Sequence, residues 1–162
     1  MSSLKLRHSV RAVLLDEEDR VLLCRCLVPG GEVVWITPGG GIEEGETAHA
    51  ALRRELHEEV GLVFDGPLRH VWHQELVGPG YAEGHDGVIN DYFLVRTTAF
   101  EPGGALSNSE LAAENITAFR WWRTSEIADW RGPELFGPRD MATALNALIA
   151  EGVPDQPLLL GL

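Results

Sequence analysis

Three glutamates, Glu55, Glu58 and Glu59, crowd into five residues of the segment Gly40–Leu62, GGIEEGETAHAALRRELHEEVGL, where Leu52, Leu56 and Val60 recur every fourth position. Residues three and four apart share a helix face, so the spacing predicts a helix over Thr47–Val60 with a carboxylate face beside an apolar stripe. Such a helix docks in one way: the stripe packs down on a sheet and the acids are carried to the rim of the core. Like charges one turn apart destabilise a helix. A hard divalent cation would relieve that cost, because clustered carboxylate oxygens are its natural ligands. Ala50, Arg53 and His57 fall on the opposite side and are expected in solvent. Ala48 and Ala51, on the acid side, are expected to leave room for ligands. Gly61 stands where a helix C-terminal glycine belongs.

The lead-in WITPGGG, Trp35 to Gly41, precedes this helix. Residues without Cβ permit a tight turn and also let a ligand approach the backbone closely; both roles suit the run. Arg54 has acids at plus one, plus four and plus five, and its forked guanidinium suits a carboxylate partner. Glu46 falls in or just before the first helical turn, where an acid favours the positive helix end. Three acids alone read as an ordinary solvated face. The glycine run and the spacing favour a metal site.

With U for a bulky aliphatic, the stretch fits G-x5-E-x7-R-E-U-x-E-E-x-G-U at Gly40, Glu46, Arg54, Glu55, Leu56, Glu58, Glu59, Gly61 and Leu62. The chain therefore resembles the Nudix hydrolases, whose signature box this is. The resemblance implies an α/β fold, an α/β/α sandwich around a mixed β-sheet. It also implies Mg²⁺-dependent hydrolysis of a nucleoside diphosphate derivative (ADP-ribose, ADP-sugar, dinucleoside polyphosphate or NTP), with Mn²⁺ as a substitute ion. Glu55 and Glu59, one helical turn apart, are the first candidates for metal ligands, with Glu58 expected as a further ligand or the general base. A carbonyl of Gly39 or Gly40 completes the oxygen shell in the family, where the arginine matching Arg54 supports the glutamates and the acid matching Glu46 is structural. Family members often add an acid from outside the box: Glu114 is the first candidate, then Asp86, Asp91 and Glu83. Family members also often dimerise, and an exposed aromatic such as Trp130 would mark a homodimer interface.

At 162 residues the chain is long enough to bury a real core and reads as one domain, 1–162. Thirteen basic and 25 acidic residues leave a net charge of −12, which argues against a nucleic-acid-binding surface but not against a small nucleotide whose phosphates a cation neutralises. No apolar run approaches the roughly 20 residues of a membrane-spanning helix; LLLGL is too short, and MSSLKLRHSV lacks the apolar region of a secretory signal. The two cysteines, Cys24 and Cys26, share one face of a strand reading and are expected to pack as small hydrophobes. A reduced, cytoplasmic protein is the simplest reading.

Ser9 to Leu15 and Val21 to Leu27 read as strands joined by the polar DEEDR, a hairpin. Further strands are expected at Val33–Ile36, Leu68–Leu76, Tyr92–Thr98 and Ile116–Trp122. Flexible segments are expected at Gly78–Gly87 and Glu101–Ser109. Thr124 is expected to cap a short helix, and Pro138 to open a last one over Arg139–Glu151. For holding a substrate, Trp35 and Tyr81 offer stacking faces, and Arg11 and Arg25 on the hairpin strands offer phosphate contacts. Trp72, Trp121, Trp122 and Trp130 read first as packing. Pro79 and Tyr81 fall near, but not at, the positions that mark particular subfamilies. Two other classes share the fold: a non-catalytic nucleotide-metabolite sensor, which would normally lack box glutamates, and an isopentenyl diphosphate isomerase, which needs a reactive cysteine.

Overall fold

The structure, a computed structural model, describes residues 3–162. In chain order the elements are β1 (Leu6–Leu15), β2 (Val21–Leu27), β3 (Val33–Ile36), β4 (Gly39–Gly41), α1 (Ala48–Val60), β5 (Arg69–Val77) and β6 (Gly87–Arg96). There follow α2 (Asn108–Ala113), β7 (Ile116–Trp122), α3 (Thr124–Ala128), β8 (Leu135–Gly137), α4 (Met141–Glu151) and β9 (Leu158–Leu160). One mixed sheet runs β8-β3-β2-β1-β6-β5-β9, with β4 also on β1 and β7 also on β2.

The β1/β2 hairpin closes with Leu15 opposite Val21. Above that base the strands part. Along Ser9–Arg11, β1 takes β4 as its antiparallel partner, while β2 pairs with β3 and β7. The other edge of β1 runs parallel to β6 from Leu6 to Leu15. The glycine run is therefore a short strand rather than a free turn, and the fork between β1 and β2 opens a space beside it.

Helices cover both faces, as the α/β/α reading expects. Leu52, Leu56 and Val60 of α1 pack with Val10, Ala12, Leu14 and Leu22 of the sheet. On the other side Met141, Leu145 and Leu148 of α4 join Val13, Val21, Trp72 and Trp122. Thr47 caps α1 by accepting the Ala50 N–H at 3.1 Å, and Gly61 ends it in the left-handed conformation at φ 77°. Ala50, Arg53 and His57 are exposed as expected. Ala51 corrects the reading, being fully buried in the helix–sheet core, with Ala48 packed against the same cluster. Neither clears space for a ligand.

Other expectations shift. The segment after Glu101 is held, not free: the N–H groups of Gly103, Ala105 and Leu106 donate to the carbonyls of Val60, His57 and Glu58, satisfying the open end of α1. It leads into α2, where Ser107 and Glu110 form a capping box. Thr124 is the first residue of α3 rather than its cap, and α4 begins at Met141 with Asp140 as its cap. LLL near the C-terminus is β9, parallel to β5. Trp130 is half-buried, its ring edge-on to Trp122 at 5.4 Å, and is not the exposed aromatic expected. No helix among the described residues is long and apolar enough to cross a membrane.

Leu56→Ala should cost about 2–5 kcal/mol through the cavity it leaves between α1 and the sheet. The check is a urea midpoint that falls while the slope stays constant.

Candidate active site

The local geometry begins with Arg54. Its Nε and Nη2 donate to the two oxygens of Glu46, each at 2.9 Å, a bidentate pair. Nη1 donates to Glu55 at 2.9 Å and to Glu58 at 3.5 Å, and Nη2 also reaches the Gly41 carbonyl at 3.1 Å. One guanidinium thus joins the residue before the helix cap, two box glutamates and the glycine strand. These hydrogen bonds hold Arg54 firmly charged and pull the Glu46 carboxyl down to about 2. Glu46 acts through this pair, not mainly through the helix end as expected.

Glu59 turns the other way along the helix and accepts the Gly39 N–H at 3.0 Å. It is only 3% exposed, and burial, reinforced by the Glu55 charge, pushes its carboxyl up to about 8 against the pull of Arg11 and Gly39. Burial also raises Glu55, which Arg54 partly offsets. Glycine is required at two places. A Cβ on Gly39, at φ 149°, would lie 2.1 Å from the Val10 carbonyl, and one on Gly40 would lie 2.5 Å from a Glu55 oxygen.

Glu55, Glu59, Gly39 and Gly40 line a cavity of about 290 Å³ in the β1/β2 fork, together with Arg7, Arg11, Thr37 and Glu114. The cavity thus gathers the candidate outside-box acid, and the Glu114 charge adds to the upward push on both buried glutamates. Arg11 donates to the Thr37 carbonyl at 3.0 Å. Cys24 and Cys26 also line it, buried beside Leu111 and Ile116. Burial raises both thiols, Cys26 to about 11, so neither is the activated thiolate that the isomerase reading needs.

The remaining candidates lie elsewhere. Trp35 is 5% exposed, edge-on to Trp122 at 5.1 Å and bonded through its indole N–H to Glu134, leaving no open face for a base. Arg25 points to the other side of β2, pairing with Glu134 at 2.8 Å and Thr117 at 3.0 Å. Tyr81 and Glu83 are exposed in the β5–β6 connection, and Asp86 there accepts the Lys5 N–H. Asp91 is not a loop acid but a β6 residue among histidines. Arg7 and Thr37 were not singled out from the sequence; Arg7 is one exposed charge in a strand, and only the fork brings it to the glycines.

The donor set suits a hard divalent cation. Two largely buried carboxylates carry the strongest upward pressure on their protons, the condition a cation relieves. Gly40 leaves the space at Glu55 that a Cβ would fill, and the buried Thr37 hydroxyl has no hydrogen-bond partner.

A family model described as NUDIX domain matches residues 5–143. A curated protein of Caulobacter vibrioides named RNA pyrophosphohydrolase is 30% identical over 140 residues, covering 82% of this chain and 77% of that one. One of the same name from Teredinibacter turnerae is 44% identical over 80 residues, 44% of this chain, and the match spans only 46% of that relative's length. Among solved structures, a NUDIX hydrolase from Nitrosomonas europaea aligns with a TM-score of 0.66 at 20% identity, over 93% of this chain and 94% of that one.

The Glu59 carboxyl, at about 8 when folded, ordinarily titrates near 4.5. The native protein keeps a proton that the unfolded chain releases, so this contribution to stability is whole below about pH 4.5 and is lost as pH rises to about 8. Urea unfolding of metal-free protein should show stability declining across that window, and Glu59→Gln should flatten the decline. An equally steep profile in Glu59→Gln would assign the slope to other groups.

Proposed function

The chain belongs to the Nudix hydrolase family, and we propose that it is a Mg²⁺-dependent hydrolase of a nucleoside diphosphate derivative. The observation that carries this reading is the buried Glu55/Glu59 pair facing a cavity that Arg7 and Arg11 also line. Glu55 and Glu59 would hold the cation, with a carbonyl of Gly39 or Gly40 beside them. When bound, the cation neutralises phosphoryl oxygens and makes water more acidic.

The chain's own groups do the rest. Arg54 fixes Glu55 and leaves Glu58, half-buried at the helix edge, as a further ligand or the general base. Arg7 and Arg11 suit the anionic oxygens of the diphosphate. One water adds to phosphorus, the anhydride P–O bond breaks, and the water proton passes to a carboxylate. Glu114, which lines the same cavity, is the candidate to orient that water or take the proton. Two buried free thiols accord with a reduced, cytoplasmic setting.

The name RNA pyrophosphohydrolase, carried by a relative aligned over 82% of this chain, favours a second reading in which the diphosphate is linked to RNA. The net charge of −12 weighs against a long RNA footprint and toward a small nucleotide.

The test is a panel of ADP-ribose, ADP-sugars, dinucleoside polyphosphates, NTPs and a 5′-triphosphorylated oligoribonucleotide, assayed with Mg²⁺ for phosphorus-containing products. Hydrolysis of a small nucleotide supports the first reading, and hydrolysis of the oligoribonucleotide alone selects the second. Glu55→Gln with Glu59→Gln should lower turnover by roughly 100-fold or more, the upper end for damage to a metal site. Full activity in that double variant would sink the metal assignment. Gly40→Ala, which drives a methyl into Glu55, should weaken Mn²⁺ binding about tenfold or more in an electron paramagnetic resonance titration.

A further inference from the structure

A second set of ligating side chains stands on β5, β6 and β1, outside the glutamate cavity. In a regular strand, residues three apart face opposite sides of the sheet. The β5/β6 register shifts between His70 and Trp72, so Val71 is an extra residue and His70 and His73 come to one face. Their partners across the ladder, Phe93 and Asp91, are two apart and share that face. Asp91 Oδ1 lies 2.6 Å from His73 Nδ1 and 2.8 Å from His70 Nε2. From the parallel neighbour β1, His8 Nε2 lies 2.5 Å from Asp91 Oδ2.

The ligand atoms of His70, His73 and Asp91 all fall within 4.8 Å of one another. An ordinary ion-pair network explains only part of this. Burial pushes the Asp91 carboxyl up, and hydrogen bonds from His73 and His8 more than reverse it. His70 is not satisfied in the same way: its Nε2 is buried, faces the carboxylate and makes no hydrogen bond. Its ring is braced by Phe93, stacked at 5.0 Å between centroids, so the nitrogen stays aimed at the cluster.

Two imidazoles and one carboxylate are the donors of a borderline divalent ion, unlike the all-oxygen glutamate site, which suits Mg²⁺. We propose that His70, His73 and Asp91 form a separate binding site for a transition-metal ion of the zinc class, with His8 holding Asp91 in place through its second oxygen. The ion would tie β5 to β6, and the His8–Asp91 contact would link that pair to β1. Val10 of β1 pairs with Asp91 on one side and Gly40 on the other, so the staple would steady the strand that supports the glycine run. His8, with 46% of its side chain exposed, provides the way in.

The test uses the full chain without a histidine tag, with Mg²⁺ in excess and Co²⁺ or Zn²⁺ added. Co²⁺ should bind one per chain with the intense visible bands of a tetrahedral nitrogen–oxygen site, and Zn²⁺ should raise the melting temperature. His70→Ala and His73→Ala should weaken Co²⁺ binding about tenfold or more, while Glu55→Gln with Glu59→Gln leaves it unchanged. Circular dichroism shows whether each variant is folded. If the His70 and His73 variants unfold, His8→Ala decides, since its half-exposed side chain orients Asp91 and can be removed without a core defect. Weaker Co²⁺ binding there supports the site. Co²⁺ bands that persist in the folded histidine variants, or that vanish in the glutamate variant, overturn it, as does a weak octahedral spectrum in the parent chain.

Discussion

The arrangement of the candidate active site hangs on one guanidinium. Arg54 brings together a carboxylate ahead of the helix, two carboxylates on it and the carbonyl of Gly41. A fork of this kind offers several donors in a fixed plane, so the four groups can meet in few relative positions. The pair with Glu46 is bidentate and only partly buried. Its worth lies in orientation more than in stability, since exposed ion pairs contribute little on their own. What it orients is costly: Glu55 sits on the border of the core, and Glu59 one turn on lies inside it.

Helix docking and site chemistry are therefore the same event. The stripe of Leu52, Leu56 and Val60 buries against β1 and β2, and the same rotation carries Glu59 under the glycine strand. Burial favours the apolar side chains and opposes the charges. Such a conflict between local rule and fold is typical of functional sites. The β1/β2 fork supplies the complementary half. Had the hairpin stayed paired along its length, β2 would occupy the edge of β1 that β4 uses, and the cavity would be closed.

Much of this was legible in the residues. The period of the apolar stripe located α1 and its faces, and β2 and β3 end where their aliphatic runs end. Glu114, a candidate taken from the family resemblance, lines the same cavity as the glutamates. Legibility fails where pairing is tertiary. Three glycines have no strand propensity, and β4 exists because β1 accepts it. β8 and β9 span three residues each, below any useful period. The capping box Ser107–Glu110 was a readable signal of α2 that a run of glycine and serine obscured. Trp35 resembled a stacking surface because aromatic type says nothing about which face the core has already taken. The histidine cluster depended on a single bulge, which inverts the facing that alternation predicts.

The latch at the end of α1 ties two parts of the site that are far apart in sequence. Gly103, Ala105 and Leu106 bond the last helical carbonyls, and only Ser107 separates them from α2, whose C-terminal cap residue is Glu114. Fraying of the helix end that carries Glu58 and Glu59 would break the same hydrogen bonds that anchor the start of α2. The helix that carries the box glutamates and the short helix that ends at Glu114 are thus joined through one set of backbone hydrogen bonds. A substitution in the unassuming 103–106 stretch would reach the candidate active site by loosening both sides of it at once.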